Sequence, residues 1–300
     1  MVDPVARRGS RDSPRTLKRI ETGRGIVEYE TVGAGPPVVF VHGVLANGTL
    51  WRKVVDRMPP GFSYVVPNWP LGSHSEPMPT EADLSPPGLT ALISEFCESL
   101  NLHDVVLVGN DTGGALCQLL ATEQPSRLRG LVLTPCDAFD NFPPAQLFRA
   151  LRLALRIPGG LRATAAAMQF PVLWGLPMTF GALARNPIDP GTMHSWWAPL
   201  RHDRSIRRDL AKVVSGLDSR YTIAAARRLA AFERPVLVVW SPQDPIFPFD
   251  HARRLTSLVP DGHLEVVDDS FGLMPLDQPE ALADAIARFL AELKPARTSR

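Results

Sequence analysis

The 300 residues carry 32 Lys and Arg against 31 Asp and Glu, a net charge of +1, so no global field draws the chain to nucleic acid or to a membrane. The length suits one α/β domain with an insertion and a sizeable core, and no run of 18 apolar residues marks a membrane span. Cys97, Cys117 and Cys136 all lie in apolar helix- or strand-like patterns, which reads as buried thiols in a reducing compartment rather than disulfides.

Residues 1–16 are rich in Arg, Ser and Pro and poor in apolar side chains, the composition of a flexible N-terminal tail. Arg7-Arg8 is followed by no apolar run, so the expected location is cytoplasmic. From Leu17 to Val32 apolar residues alternate around Gly23-Arg24-Gly25, a hairpin pattern. Pro37–Val41 is a buried strand that ends in His42-Gly43. His42 there either braces the turn or reaches a substrate pocket. Leu50–Met58 reads as a helix and Phe62–Val66 as the next strand. The turn-rich loop beyond it holds His74, expected as a solvent or loop residue. Ser85-Pro86-Pro87 opens a helix with Leu89, Leu92, Ile93, Phe96 and Leu100 on one face.

Val105–Val108 then runs into Gly109-Asn110-Asp111-Thr112-Gly113-Gly114 and the helical pattern Ala115–Thr122. This is a buried strand, a tight turn and a helix with Asp111 at the apex. Glycines suit the apex because strand and helix backbones converge there. The plain alternative is a βα loop with Asp111 as a helix N-cap. Leu131–Leu133 is a further buried strand, followed by Cys136-Asp137. Residues 140–215 lose strand alternation and become Ala/Leu/Arg-rich helices broken by Pro and Gly, with Trp174, Trp196 and Trp197. They read as a helical cap inserted into a core of residues 17–139 and 216–295. Trp51, Asn110, Trp174 and Trp196 are candidates for an apolar pocket, with core packing the alternative for the tryptophans. After the cap come a helix at Ala224–Ala231, the strand Pro235–Trp240 ending near Asp244, a helix at Pro248–Leu258, the strand His263–Val267, and an amphipathic helix over Pro279–Leu293. Buried strands alternating with helices imply an α/β fold with a mostly parallel sheet between helices.

With His42-Gly43, GNDTGG at 109–114, an acid at Asp244 and LDQPE at 276–280, the chain resembles the α/β-hydrolase superfamily over Leu17–Leu293. The Asp at the elbow resembles the haloalkane dehalogenase and epoxide hydrolase branch. That resemblance implies Asp111 as nucleophile, with the backbone N–H groups of Val44 and Thr112 as an oxyanion site. It implies a third-member acid at Asp244 or, alternatively, at Asp137. Asp244 is preferred, because turn chemistry alone accounts for Asp137.

The resemblance also implies a His ahead of the D-Q-P helix, and counting back from Asp277-Gln278-Pro279 puts Gly272 there. His103, His194, His202, His251 and His263 do not obviously fill the vacancy. An ester on Asp111 would then lack the usual base to hydrolyse it, worth roughly 10²–10⁴ in rate. Three functions remain open. One is a hydrolase with Asp111 as nucleophile, acting on a small, mainly apolar substrate. The others are a non-hydrolytic isomerase, cyclase or lyase with Asp111 as acid/base, and a catalytically silent binder. No cofactor and no metal are expected.

Overall fold

The computed structural model describes residues 16–176 and 179–293. The tail expected over 1–16 lies outside them except for Thr16. Eight strands form one sheet: β1 (Lys18–Thr22), β2 (Gly25–Gly33), β3 (Pro37–Val41), β4 (Ser63–Asn68), β5 (Val105–Asp111), β6 (Leu128–Cys136), β7 (Val236–Trp240) and β8 (Gly262–Val266). The helices are α1 (Arg52–Val55), α2 (Pro86–Ser99), α3 (Thr112–Glu123), α4 (Ala145–Arg156), α5 (Gly160–Ala167) and α6 (Pro190–His202). They continue with α7 (Arg204–Gly216), α8 (Ser219–Leu229), α9 (Phe249–Leu258), α10 (Met274–Asp277) and α11 (Pro279–Glu292).

The spatial order is β1-β2-β4-β3-β5-β6-β7-β8, antiparallel through β1, β2 and β4 and parallel from there on. Every residue of β5 and β7 is buried, while β1 and β8 at the edges are partly exposed. That is why the central strands read as unbroken apolar runs: helices cover both faces. α3 packs on α2 and α8, and α1 packs on α11. Chain order reverses between β3 and β5, and in such sheets the crevice at the carboxyl ends of those strands is where ligands bind.

Two local expectations change. Instead of one helix over Leu50–Met58 there is a 3₁₀ turn, Gly48–Trp51, and the single turn of α1. Asn47 starts it by accepting the Thr49 amide at 3.0 Å, and Pro59-Pro60 stops any continuation. His74 is buried rather than solvated. Its Nε2 is 3.3 Å from Asp209 Oδ2 on α7, which also accepts the Met78 amide at 2.9 Å. That carboxylate thereby ties the 69–78 loop to the helical stretch between β6 and β7. The three cysteines are free and buried, as expected.

The approach of α3 to β3 leaves no room for a side chain at Gly113. An added Cβ would lie 2.2 Å from the Val41 carbonyl oxygen and 2.6 Å from that of His42, both backbone atoms. Gly113→Ala is therefore expected to cost about 2–3 kcal/mol or more of stability, read from urea unfolding.

Candidate active site

The site starts from the β5–α3 turn. Asp111 adopts φ 55° and ψ −134°, a left-handed conformation that a non-glycine residue holds only when its surroundings enforce it. The glycines around it permit the enforcement. A Cβ at Gly43, after β3, would fall 2.5 Å from both Cβ and Cγ of Asp111. One at Gly114 would fall 2.3 Å from Cβ of Cys136 at the end of β6. Asp111 Oδ1 accepts the backbone N–H of Thr112. The N–H of Val44, after Gly43, has no acceptor among the described residues. The two amides expected to serve an oxyanion thus follow the two glycine turns that hold Asp111.

Above Asp111 is a cavity of about 170 Å³. Val44, Leu45, Leu147, Leu151, Met168 and Trp197 form much of its wall, and among the described residues Asp111 is the only ionisable side chain that lines it. Cavities of this size and apolarity take molecules on the scale of benzene, roughly 150 Å³ in a well-studied case. The wall differs from the sequence expectation. Trp51 packs against Phe40 at 5.0 Å between ring centroids, and Trp196 donates Nε1–H to Thr49 Oγ1 at 2.9 Å. Trp174 donates to the Met168 carbonyl at 2.8 Å. Asn110 and His42 are fully buried in the sheet behind the site. None of these five lines the cavity. Trp197 does, beside Trp196 on α6, and helical spacing alone cannot say which of two adjacent indoles faces inward. Leu147, Phe148 and Leu151 also line it, and their i, i+1, i+4 spacing was readable as an apolar stripe.

Two more carboxylates stand behind Asp111. Asp137, just past β6, is fully buried, and its Oδ2 accepts the Thr112 hydroxyl at 3.0 Å while Oδ1 has no partner. Asp244 accepts the Ile246 and Phe247 amides on Oδ1 at 2.8 and 3.0 Å, leaving Oδ2 buried and unpartnered. Turn chemistry therefore falls to Asp244, and the link to the Asp111 turn to Asp137. Burial raises Asp111 above the ordinary carboxylate range against the bonds from Thr112. Burial, and then the charge of Asp111, push Asp137 well above that range. Burial lifts Asp244 to about 7, against the two amides and with the charge of Asp111 adding to the rise.

Residues 36–278 match the family described as alpha/beta hydrolase fold. The chain belongs to that family. Haloalkane dehalogenase 2 of Mycobacterium tuberculosis is 26% identical over 290 residues, covering 91% of this chain and 94% of that protein. The poly(3-hydroxyalkanoate) depolymerase of Ectopseudomonas oleovorans is 25% identical over 272 residues, 85% of this chain and 84% of that one. The solved structure of a thermophilic esterase from Thermogutta terrifontis superposes with a TM-score of 0.73 at 22% identity, over 93% of this chain and 100% of that one.

The α/β-hydrolase frame makes the position of the histidines informative, and none of the seven lines the cavity. His42 uses both ring nitrogens, Nδ1 toward the Gly43 carbonyl at 2.9 Å and Nε2 accepting the Trp69 amide at 2.9 Å. Burial pushes it down to about 4, with the Gly43 carbonyl opposing, so it stays neutral. His251 packs edge-on to Phe139, His194 packs against Trp174, and His202 is exposed at the end of α6. His103 and His263 pair with Asn101 and Asp261 at the surface.

At Gly272 itself an imidazole would have to displace its neighbours. A Cβ would lie 2.9 Å from Leu183 Cδ2 and 2.9 Å from Phe247 Cε2, and the Gly272 carbonyl accepts Asn110 Nδ2 at 2.7 Å. Asp277 fixes this crowding. Its carboxylate accepts the amides of Arg185 and Asn186 at 2.9 Å and of Phe271 at 3.0 Å, while the Leu273 amide bonds the Leu183 carbonyl at 2.7 Å. Nothing in the sequence around Asp277 marks this role, since the Arg185 and Asn186 amides lie 92 and 91 residues away.

Two outcomes follow. The folded protein holds the Asp244 proton more tightly than the unfolded chain, so this group favours folding at low pH and that benefit is lost as pH rises from near 3.8 to about 7. Asp244→Asn removes this group's share of the slope, leaving that of Asp111 and Asp137. Its stability relative to wild type should improve by about 3 kcal/mol between pH 4.5 and pH 8 in urea titrations. Gly272→His should lower stability by about 1–3 kcal/mol through overpacking, and Leu183→Ala in the same chain should recover part of that loss, both read as thermal midpoints.

Proposed function

We propose that this α/β-hydrolase-fold protein is an enzyme acting on a small, mainly apolar molecule held against Asp111, with Asp111 moving a proton rather than carrying a hydrolytic ester. α4 and α5 form the cap over the substrate. The observation that carries the reading is the filled base position: Leu183 and Phe247 occupy the space around Gly272, and no imidazole lines the cavity. A carboxylate raised by burial is a stronger base than an exposed one and is better matched to proton transfer near neutral pH. Asp111 takes a proton from one atom of the substrate, exchanges it with solvent, and returns a proton to another atom, so the net change is an isomerisation with nothing consumed. Burial and the charge of Asp111 push the Asp137 carboxyl well above the ordinary range, which favours its neutral form and limits the charge that develops there.

A second reading has its own support. Val44, whose N–H has no acceptor among the described residues, lines the cavity with Asp111, the Thr112 amide bonds Asp111, and the dehalogenase relative is 26% identical. In that case Asp111 attacks carbon, a leaving group departs, and an alkyl ester persists because no base activates water.

Isotope incorporation separates these. The protein would be incubated in D₂O and in H₂¹⁸O with benzene-sized haloalkanes, epoxides, esters and enolisable ketones. Deuterium should enter a product at carbon, and Asp111→Asn should reduce that rate by at least about 10²-fold. An alkyl adduct or ¹⁸O in the Asp111 peptide, with no deuterium in any product, would establish the second reading and overturn the first. Ligand binding that Asp111→Asn leaves intact, with no turnover of any member, would leave only the silent binder.

A further inference from the structure

The near-zero net charge hides an uneven distribution. Residues 145–215 hold nine Arg and one Lys against three Asp, a surplus of seven in a chain whose total is +1, so the remainder is negative by six. The three Asp already have partners. Asp189 and Asp203 accept the Thr192 and Ser205 amides at helix starts, and Asp209 holds His74, Met78 and Arg208. Arg149, Arg152, Arg156, Arg162 and Arg204 make no ion pair among the described residues.

Where those arginines lie is set by the helical period. On α4, Leu147, Phe148 and Leu151 face the cavity. The opposite face carries Arg149, Arg152, Leu153 and Arg156, followed by Ile157, all exposed and with no acidic side chain among them. Leu153 is 58% and Ile157 53% exposed. Beyond α5 the chain also exposes Phe170, Val172 and Leu176, so five of the eight large hydrophobic residues exposed among the described residues fall in this one stretch. Next to Ile157, a cleft between the α4–α5 turn and α7 is lined by Gly159, Arg162, Arg204 and Arg207.

Unpaired arginines interleaved with exposed Leu and Ile ask for a partner that is anionic and apolar at once. We propose that the outer face of α4, with the start of α5, docks on the surface of an anionic lipid bilayer. Arginines meet acidic headgroups while Leu153 and Ile157 enter the headgroup–acyl boundary, the division of labour of an interfacial amphipathic helix. No described helix is long and apolar enough to cross a membrane, so the attachment is peripheral. Net charge argues against a membrane, and the charge distribution argues for one. The inference does not depend on what Asp111 does. It adds to that reading because α4 is a shared wall, with the cavity on its inner side.

Co-sedimentation of the full chain with vesicles tests it. The protein should bind phosphatidylcholine vesicles containing phosphatidylglycerol, should not bind phosphatidylcholine alone, and should be released by salt. Arg152→Glu with Arg156→Glu should weaken binding more than about ten-fold. Leu153→Ser with Ile157→Ser should weaken it while leaving the salt dependence in place. All four positions are exposed, and an unchanged thermal transition would confirm folding. No binding to the acidic vesicles, or binding that survives both double variants, overturns the proposal. So does a concentration-dependent dimer that both double variants abolish in the absence of lipid, which would assign the face to a second copy of the chain.

Discussion

Everything at this site depends on one close approach, that of the β3 end and the start of α3 on either side of Asp111. The carboxylate is held in a backbone conformation it would not adopt freely, because strand, turn and helix are drawn together across Gly43, Gly113 and Gly114. The same compression that strains Asp111 strips water from it. Its position, its raised basicity and the nearness of the Val44 and Thr112 amides are therefore consequences of one packing arrangement.

A second constraint follows from that burial. Asp111, Asp137 and Asp244 share a low-dielectric region, and among the described residues no Lys or Arg lines the cavity above them. Buried carboxylates without a cation cannot all be ionised, so the cluster retains protons that exposed acids would lose. Thr112 links two of the three, amide to Asp111 and hydroxyl to Asp137. The imidazoles that could relieve this charge are committed elsewhere, His42 to the turn after β3 and His74 to Asp209.

The helical stretch between β6 and β7 has two chemically distinct sides. Inward, α4 gives Leu147, Phe148 and Leu151 to the cavity, α5 gives Thr164 and the residue after it Met168, and outward the two helices present arginines with a few apolar side chains. Asp277, the last residue of α10, fastens this stretch to that helix through the Arg185 and Asn186 amides. Leu183 is thereby pressed against Gly272, so the fastening and the crowding at that glycine are one feature.

Much of this was legible in the residues. The alternation of buried runs and amphipathic helices determined an α/β sheet, and Gly109-Asn110-Asp111-Thr112-Gly113-Gly114 determined where its sharp turn lies. These are local signals, carried by side-chain period and by glycines that a short-range clash demands. Gly272 was readable as a missing side chain, but not that Leu183 and Phe247 fill its surroundings. Tertiary structure alone decided which carboxylate joins Thr112, which tryptophan lines the cavity, and that His74 is buried on Asp209. Each of those depends on a partner far along the chain or on the rotation of a helix by one residue, and neither leaves a mark in the spacing of nearby amino acids.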